Sequence, residues 1–224
     1  MRFLCKFPSR SRPGRFMEVF DLYRSMLSGN HSMNFLLSFD KDDISMNNPR
    51  MRKLISRQAD NVFIYFGNSK SKIEAVNADM NNAPDYDILL LASDDMVPVQ
   101  RGYDDIIASD MSKHFPDLDG VLHYNDGVRG EALNTLCIMG KPYYERFGYI
   151  YHPDYTSVYC DNEFTEVSRT LGKAVYIDNI IIKHKWMEQG KDALYQRNED
   201  INLYAKDYGI LVERKKRNYD LTTA

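Results

Sequence analysis

Short apolar runs alternate with amphipathic segments along the first half of the chain. Four runs are typical of strands, because each is rich in apolar residues and ends in polar or turn-forming residues. They are Arg2–Phe7, Met33–Phe39, Asn61–Phe66 and the run that begins at Asp87. Each is followed by apolar residues at helical spacing, and after the first run Phe16, Val19, Phe20 and Tyr23 have the i, i+3, i+4, i+7 spacing of one buried helix face. This alternation predicts a mostly parallel sheet covered by helices on both faces.

The pattern changes in the second half of the chain. Gly120–Asp126 and Leu133–Met139 are typical of strands, and the loop between them is too short for a crossover helix. We therefore expect these two strands to be antiparallel. A helix near Asn162–Leu171, a strand over Lys173–Ile182 and a charged helical tail from about Lys191 complete the predicted elements.

Composition narrows the class of protein. The chain has 224 residues, 43% of them hydrophobic, and a net charge of -3, with a pI near 6.0. No global positive field draws it to nucleic acid or to an anionic membrane. Its three cysteines show neither CxxC spacing nor a disulfide framework. No run has the length of a signal peptide or a membrane span, so we expect a cytoplasmic, soluble protein.

Polar and charged residues cluster where each of the four strands ends. The strands are followed in turn by PSRSRP, DKDD, GNSK and SDD. Ligands of open α/β sheets bind outside the carboxyl ends of the strands, so these clusters are expected to line one crevice. The residues expected there are Ser9, Arg10, Asp40, Asp42, Asp43, Asn68, Lys72, Asp94 and Asp95.

Asp94 and Asp95 are adjacent carboxylates at the end of the fourth strand. Such neighbours repel each other unless a cation or a hydrogen-bond donor offsets their charge. Mg²⁺ and Mn²⁺ bind carboxylate oxygens and keep positions open for phosphate, so the pair is a candidate metal site. The alternative is the start of a helix, where acidic residues interact favourably with the helix dipole.

His184 and Asp161 are further candidates for chemistry. His184 ends an apolar strand just before Trp186, the only tryptophan, and a neutral imidazole can bind Mn²⁺ or Zn²⁺. A surface or packing histidine would fit the same pattern. Asp161, with Glu163 close by, stands at a predicted helix start. It is either a helix cap or a general base that takes a proton from a hydroxyl group.

Three basic residues stand near the expected crevice, namely Arg10, Arg12 and Lys72. Guanidinium and ammonium groups suit phosphate oxygens, so these side chains would bind phosphate if they face the crevice. Exposure to solvent is the alternative for each of them.

The order of these segments resembles the GT-A fold glycosyltransferases, especially the family-2-like group of phage and bacterial enzymes. FPSRSRP corresponds to the Pro-x-x-x-Arg-like loop after the first strand, and SFDKDD to the base-contacting aspartate after the second. SKIEAVNAD corresponds to a helix that carries a basic residue and an asparagine. ASDDM stands at the place of the DxD metal motif, CDNE at that of the catalytic base, and KHKW at that of a metal-binding histidine.

This resemblance implies a metal-dependent inverting glycosyltransferase that moves one sugar from a nucleotide-diphosphate donor, with a UDP-sugar expected, to an acceptor hydroxyl. It implies that Asp94, Asp95 and His184 provide ligands for Mn²⁺ or Mg²⁺, and that Asp161 is the catalytic base. The residues expected to bind the nucleotide sugar are Pro8, Ser9, Arg10, Asp40, Asp42, Asn68, Lys72 and Asp94.

The resemblance also implies a division of the chain. Residues 1–186 would form the GT-A domain, with residues 1–98 as the nucleotide-binding half and 99–186 as the acceptor and catalytic half. Residues 187–224 would form a C-terminal helical extension. Two loops, 125–132 and 147–159, are expected to shape the acceptor pocket, and a glycan, a small molecule, a protein or modified phage DNA would each be compatible as acceptor.

The chain departs from the family pattern at three points. The strict DxD is replaced by SDD, which leaves open whether Asp94 or Asp95 binds the metal. Cys160 and Asp161 stand where the family has a Glu-Asp pair. The QxxRW motif of processive members is missing, which indicates transfer of a single sugar.

Two other functions fit parts of the sequence. A nucleotidyltransferase also uses strand-end carboxylates and divalent ions, but it usually carries a Gly-rich loop after the first strand, where PSRSRPG has one glycine. A catalytically inactive nucleotide-sugar-binding module would explain the altered SDD and CDNE motifs. Incorporation of sugar, incorporation of nucleotide, or binding without sugar release would distinguish the three.

Overall fold

The computed structural model describes residues 1–57, 60–185, 193–198 and 200–221. In chain order its elements are β1 (Arg2–Pro8), α1 (Pro13–Ser25), β2 (Ser32–Asp40), α2 (Pro49–Ser56), β3 (Val62–Gly67), α3 (Lys72–Asn77), β4 (Ile88–Leu91), β5 (Met96–Pro98), α4 (Tyr103–His114), β6 (Val121–Tyr124), β7 (Ile138–Gly140), α5 (Lys141–Phe147), α6 (Cys160–Thr170), β8 (Ala174–Ile177), β9 (Ile182–His184), α7 (Ala193–Asn198) and α8 (Ile201–Lys216).

The main sheet, within the described residues, has seven strands in the order β3-β2-β1-β4-β7-β6-β8. β1 pairs in parallel with both β2 and β4, and β7 runs antiparallel to both of its neighbours. The strand order therefore reverses between β1 and β4, which is where open α/β sheets form a ligand crevice. The predicted parallel sheet with an antiparallel second part is confirmed.

The sheet is buried on both faces, which explains why its central strand, β4, is apolar throughout. All four residues of β4 are at most 4% exposed. Successive residues of a strand face opposite sides, so in β1 Phe3, Cys5 and Phe7 pack with α1 and α4, whereas Leu4 packs on the other face. That second face is covered by α3, α5, α6 and α8. Burial against two helical layers keeps the strand ends in fixed positions.

The strand predicted over Lys173–Ile182 is wrong as a single element. The structure divides it into β8, which pairs with β6 in the main sheet, and β9, which pairs with β5 in a separate antiparallel ribbon. Between the two strands, the Asp178 carboxylate accepts a hydrogen bond from Asn125 Nδ2 at 2.7 Å, and the backbone N–H of Asn179 donates to the carbonyl oxygen of Ile177 at 2.8 Å. The short elements β5 and α5 were not predicted from the sequence.

The C-terminal helical tail is confirmed over α7 and α8. Trp186 and the predicted start of the tail near Lys191 lie outside the described residues. Nowhere in the described ranges is a helix both long enough and apolar enough to cross a membrane.

α8 is joined to α6 by a buried ion pair. Arg214 donates to both carboxylate oxygens of Glu163, at 2.7 and 2.8 Å, and Tyr155 Oη donates to the same carboxylate at 2.8 Å. Asp207 of α8, which is fully buried, accepts the backbone N–H groups of residues 156–158 at 2.7 to 3.1 Å. The tail therefore holds α6 and the loop before it.

Arg214→Met should lower the free energy of unfolding by about 3–5 kcal/mol, because it leaves the Glu163 carboxylate buried without its cation. Urea denaturation measures this change. Lys216→Met is the matched control, since Lys216 forms an exposed ion pair with Glu213 at 2.6 Å, and such pairs contribute about 0–1 kcal/mol. Equal effects of the two substitutions would show that the buried pair does not stabilise the tail.

Candidate active site

A cleft of about 520 Å³ lies at the carboxyl ends of β1, β2 and β4. The loops before α3 and α6, the β5–β9 ribbon and the C-terminal helices complete its walls. Among its lining residues are Pro8, Ser9, Arg10, Arg12, Ser38, Asp40, Ser69, Lys72, Asp94, Asp95, Arg129, Thr135, Tyr159, Asp161, His184 and Tyr204.

Most of the residues predicted for the site line this cleft. They are Pro8, Ser9, Arg10, Asp40, Lys72, Asp94, Asp95, Asp161 and His184. Asp42, Asp43 and Asn68 are not among the lining residues. The Asp42 side chain is 71% exposed, and it binds Arg10 from the outer side. Asn68 is exposed, and its neighbour Ser69 lines the cleft instead.

Arginines hold Asp94. Its Oδ1 accepts a hydrogen bond from Arg12 Nη1 at 3.0 Å, and its backbone oxygen accepts one from Arg15 Nε at 2.7 Å. The residue is 7% exposed. Burial raises the pKa of Asp94 to about 6, with Asp95 adding to the increase and Arg12 opposing it. The Asp94 carboxylate is therefore bound to a cation of the chain itself.

Asp95 faces a different cation, His184. His184 Nε2 lies 3.7 Å from Asp95 Oδ2, and His184 Nδ1 lies 3.7 Å from Asp126 Oδ2. Burial alone would raise the pKa of Asp95, but His184, Ser93 and the charge of Lys72 lower it below its ordinary value. Burial likewise opposes protonation of His184, yet the two carboxylates raise the pKa of its imidazole to about 9.

Backbone pairing fixes this arrangement. His184 lies opposite Met96 in the β5–β9 ribbon. The backbone N–H of Lys185 donates to the carbonyl oxygen of Asp95 at 2.7 Å, and that of His184 donates to the carbonyl oxygen of Asp126 at 2.9 Å. His184 is thereby held between the end of β4 and the loop that follows β6.

Asp95 and His184 fit a divalent ion. Two atoms that bind one Mg²⁺ at about 2.1 Å each are at most about 4.2 Å apart, which is compatible with the 3.7 Å between Asp95 Oδ2 and His184 Nε2. A carboxylate oxygen and an imidazole nitrogen are ligands that Mn²⁺ accepts. No three His, Cys, Asp or Glu residues in the described ranges form a metal cluster.

The opposite end of the cleft contains Arg10, Asp40 and Ser9. Asp40 accepts hydrogen bonds from Arg10 Nη1 at 2.7 Å and from the backbone N–H of Ser69 at 2.9 Å. Ser9 Oγ is buried and has no hydrogen-bond partner among the residues that the structure describes. A buried hydroxyl group whose hydrogen-bonding capacity is not used can bind a polar group of a ligand.

Asp161 is not a helix cap. α6 begins at Cys160, and the residue before it, Tyr159, occupies the cap position with φ +61° and no capping side-chain hydrogen bond. Asp161 therefore lies in the first turn and lines the cleft. Its Oδ1 accepts the backbone N–H of Asn162 at 3.0 Å. The alternative of a simple cap is wrong, and Asp161 is a first-turn residue that lines the cleft.

Sequence analysis missed several residues of the site. Arg15, Asp126, Thr135 and Tyr204 were not singled out, because none belongs to a strand-end cluster of the parallel sheet. Asp126 carries one usable signal, since the Asp-Gly dipeptide at 126–127 is typical of a tight turn after a strand. Tyr204 comes from α8, and only packing of the tail on α6 brings it to the cleft.

Several solved structures share this fold. The mannosyltransferase PcManGT from Pyrobaculum calidifontis, in complex with GDP-Man and Mn²⁺, matches 84% of the chain at 13% identity with a TM-score of 0.66. S. aureus TarS 1-349, in complex with UDP-GlcNAc, matches 99% of the chain at 14% identity with a TM-score of 0.60, and 74% of its own chain is covered.

A third neighbour is 4-diphosphocytidyl-2C-methyl-D-erythritol synthase from Anaerococcus prevotii. It matches 84% of the chain at 10% identity with a TM-score of 0.54, and 92% of its own chain is covered. The chain spans 58% of the mannosyltransferase and 60% of another TarS 1-349 structure. No protein-family model and no curated protein sequence matches the chain. Together these similarities establish the GT-A fold predicted from the sequence.

His184→Gln should change the pH dependence of stability in metal-free protein. The pKa of His184 is about 9 when folded against about 6.5 when unfolded. Its stabilising contribution is therefore complete below pH 6.5 and is lost as the pH rises through 9. The wild type should lose about 3 kcal/mol of unfolding free energy over this range relative to the variant.

Urea denaturation in chelator at pH 6, 7.5 and 9 measures the difference between the two proteins. Lys6 titrates with the opposite sign, since burial lowers its pKa to about 8, but it does so equally in both. His123→Gln is the control, because burial lowers the pKa of His123. This variant should lose unfolding free energy between pH 6.5 and 9 as the wild type does. If the unfolding free energies of wild type and His184→Gln change in parallel with pH, His184 is not held in its charged form by Asp95 and Asp126.

Proposed function

We propose that the protein is a metal-dependent inverting glycosyltransferase. It would transfer one sugar from a nucleoside-diphosphate sugar, with UDP as the first carrier to test, to an acceptor hydroxyl. The observation that supports this most directly is the joint presence, in one cleft, of Asp95 with His184 and of the Asp161 carboxylate. The GT-A fold, which neighbours bound to GDP-Man and UDP-GlcNAc share, adds support.

The proposed metal ligands are Asp95 and His184, with Mn²⁺ or Mg²⁺ as the ion. A divalent ion there would offset the negative charge that the departing diphosphate acquires. Asp94 is proposed to act through Arg12, since their ion pair at 3.0 Å directs a guanidinium toward the same end of the cleft. Lys72, at the start of α3, adds a second positive charge for phosphate oxygens.

The nucleotide is proposed to bind along the ends of β1 and β2. Pro8 and Ser9 would contact it through the backbone and the unpartnered Ser9 hydroxyl, and Asp40 would contact the base. Arg10 is held by Asp40 at 2.7 Å, so it would stiffen this wall of the cleft. Asp42 and Asn68, which do not line the cleft, would contribute only through Arg10 and through the adjoining loop.

Asp161 is proposed as the general base. A carboxylate on the cleft wall can take the proton of an acceptor hydroxyl as its oxygen attacks the anomeric carbon. Attack from the face opposite the diphosphate inverts the configuration of that carbon. Loops 125–132 and 147–159 both contribute to the cleft, through Arg129 and through Tyr151 and Tyr159, and are proposed to receive the acceptor.

Nucleotidyl transfer is the second candidate, because the synthase from Anaerococcus prevotii shares the fold over 92% of its length. A nucleotidyltransferase would release diphosphate and keep the nucleoside monophosphate on its product, whereas a glycosyltransferase releases the nucleoside diphosphate. The segment after β1 favours glycosyl transfer, because PSRSRPG carries one glycine, Gly14, and this glycine lies in the first turn of α1. An inactive nucleotide-sugar-binding module would release neither product.

UDP should raise the melting temperature only when Mn²⁺ is present. At a ligand concentration of about 100 times the dissociation constant, the fold gains about 2.7 kcal/mol, which amounts to several degrees. A thermal-shift panel of UDP, GDP, CDP and ADP, each with Mn²⁺ or chelator, measures it. Asp95→Asn should abolish the shift that UDP causes in the presence of Mn²⁺.

The control for Asp95→Asn is Asp110→Asn. Asp110 accepts a hydrogen bond from Tyr124 Oη at 2.7 Å and does not line the cleft. It should keep the wild-type response. If no nucleotide shifts the melting temperature in either condition, the proposed donor site is wrong.

Asp161→Asn should lower turnover by 10²–10⁴-fold and leave UDP binding unchanged, because general-base catalysis contributes about that much. Release of UDP from UDP-sugars with water as acceptor is the assay, so no acceptor need be known. Glu166→Gln, on the same helix but bound to Lys215 and Tyr219, is the control. Full activity of Asp161→Asn would exclude Asp161 as the base.

A further inference from the structure

The Asp126 carboxylate accepts four hydrogen bonds at this edge of the sheet. Its Oδ1 accepts the backbone N–H groups of Val128 and Arg129 at 2.8 and 2.7 Å, and that of Gly130 at 3.3 Å. Its Oδ2 accepts the hydroxyl of Thr135 at 2.7 Å. The residue is 1% exposed. These bonds leave the carboxylate a single orientation.

That orientation directs Asp126 at His184. Asp126 Oδ2 lies 3.7 Å from His184 Nδ1, and this nitrogen is buried with no partner at hydrogen-bond distance in the described part of the chain. The other ring nitrogen, Nε2, faces Asp95 and the cleft. The imidazole therefore has one nitrogen toward a fixed carboxylate and the other toward the proposed ion.

We propose that Asp126 is a positioning residue that keeps the ring proton of His184 on Nδ1, so that Nε2 is free to bind the metal. This inference rests on the proposed function, since it takes Asp95 and His184 as the metal ligands. A metal-binding imidazole generally donates its second N–H to a carboxylate or carbonyl group, which sets both the ring orientation and the tautomer. Asp126 does not itself contact the ion.

The backbone gives Asp126 a second means of positioning the ring. Its carbonyl oxygen accepts the backbone N–H of His184 at 2.9 Å. Gly127, with φ +82°, allows the turn that follows, and a Cβ there would lie 3.3 Å from the Lys183 side chain. The Asp-Gly turn thus contacts His184 of β9 twice, through the carbonyl oxygen of Asp126 and through its carboxylate.

Asp126→Asn separates positioning from structure. The amide oxygen of asparagine still accepts the N–H groups of residues 128–130, and the Thr135 hydroxyl, which donates to Oδ2 in the wild type, can accept from the amide nitrogen instead. The amide nitrogen then presents N–H groups to His184 Nδ1, which must accept, and the ring proton moves to Nε2. The nitrogen that should bind the ion is blocked, and removal of such a partner typically costs 10–100-fold in metal affinity.

The experiment is titration of Mn²⁺ alone, followed by the electron paramagnetic resonance signal of the free ion, for wild type and Asp126→Asn. We expect Mn²⁺ affinity to fall 10–100-fold in the variant. Asp104→Asn is the matched control, because Asp104 is also 1% exposed and also accepts a backbone N–H and a hydroxyl, both from Ser28. It lies outside the cleft lining and should keep wild-type affinity.

A double-mutant cycle supplies the readout that a merely structural role would not move. In the His184→Gln background, Asp126→Asn should have no further effect on Mn²⁺ affinity. An equal loss in both backgrounds would overturn the proposal, and so would unchanged affinity in the single variant. A wild type that binds no Mn²⁺ would instead overturn the proposed metal site itself, so the two failures are distinguishable.

One measurement needs no substitution and covers failure of the variant to fold. A long-range proton–nitrogen spectrum of the imidazoles, recorded without metal at a pH where the ring of His184 is neutral, reports its tautomer. A proton on Nδ1 supports the proposal. A proton on Nε2 in the unmodified protein overturns it.

Discussion

The pairing of β5 with β9 holds the candidate active site together. β5 follows Asp95 directly, and β9 ends at His184, so their antiparallel register places the two side chains at one edge of the cleft. The neighbouring loop joins through Asp126, whose carbonyl oxygen binds the His184 backbone. Backbone hydrogen bonds therefore join three segments that are distant in sequence, namely β5, β9 and the loop after β6.

Adjacent aspartates acquire different roles because their surroundings differ. Asp94 is buried beside Arg12 and Arg15, and its pKa is raised, whereas the pKa of Asp95 is lowered by His184. Groups whose environments separate their pKa values are the usual basis for a division of labour within a site. This difference is the physical reason for assigning the proposed ion to Asp95 and the proposed phosphate contact to the Arg12–Asp94 pair.

The C-terminal helices form part of the site. Asp207 binds the backbone of residues 156–158, and Arg214 binds Glu163 two residues after Asp161. A buried ion pair makes a small net contribution to stability, but loss of one partner is costly, so such a pair enforces one arrangement. In this fold the arrangement enforced is the position of α6, and with it the position of the Asp161 carboxylate.

Much of the parallel half was predictable from the sequence because its signals are local. Strand-length apolar runs, helix-spaced apolar residues and polar strand ends correctly indicated β1 to β4 and a crevice at their carboxyl ends. Ser9, Arg10, Asp40, Lys72, Asp94 and Asp95 were all found in this way, whereas Pro8 was predicted from the family resemblance. Asp42 and Asn68 were predicted by the same rule, but proximity in sequence to a strand end does not determine which way an exposed loop residue points.

The sequence by itself determined a mostly parallel α/β sheet and the two ends of the cleft, because periodicity and strand-end placement depend on neighbouring residues alone. Tertiary structure decided the division of Lys173–Ile182 into strands of two different sheets, the orientation of His184 between Asp95 and Asp126, and the entry of Tyr204 into the cleft. Each of these depends on hydrogen bonds or packing between residues far apart in the chain. No local pattern of hydrophobic and polar positions records such contacts.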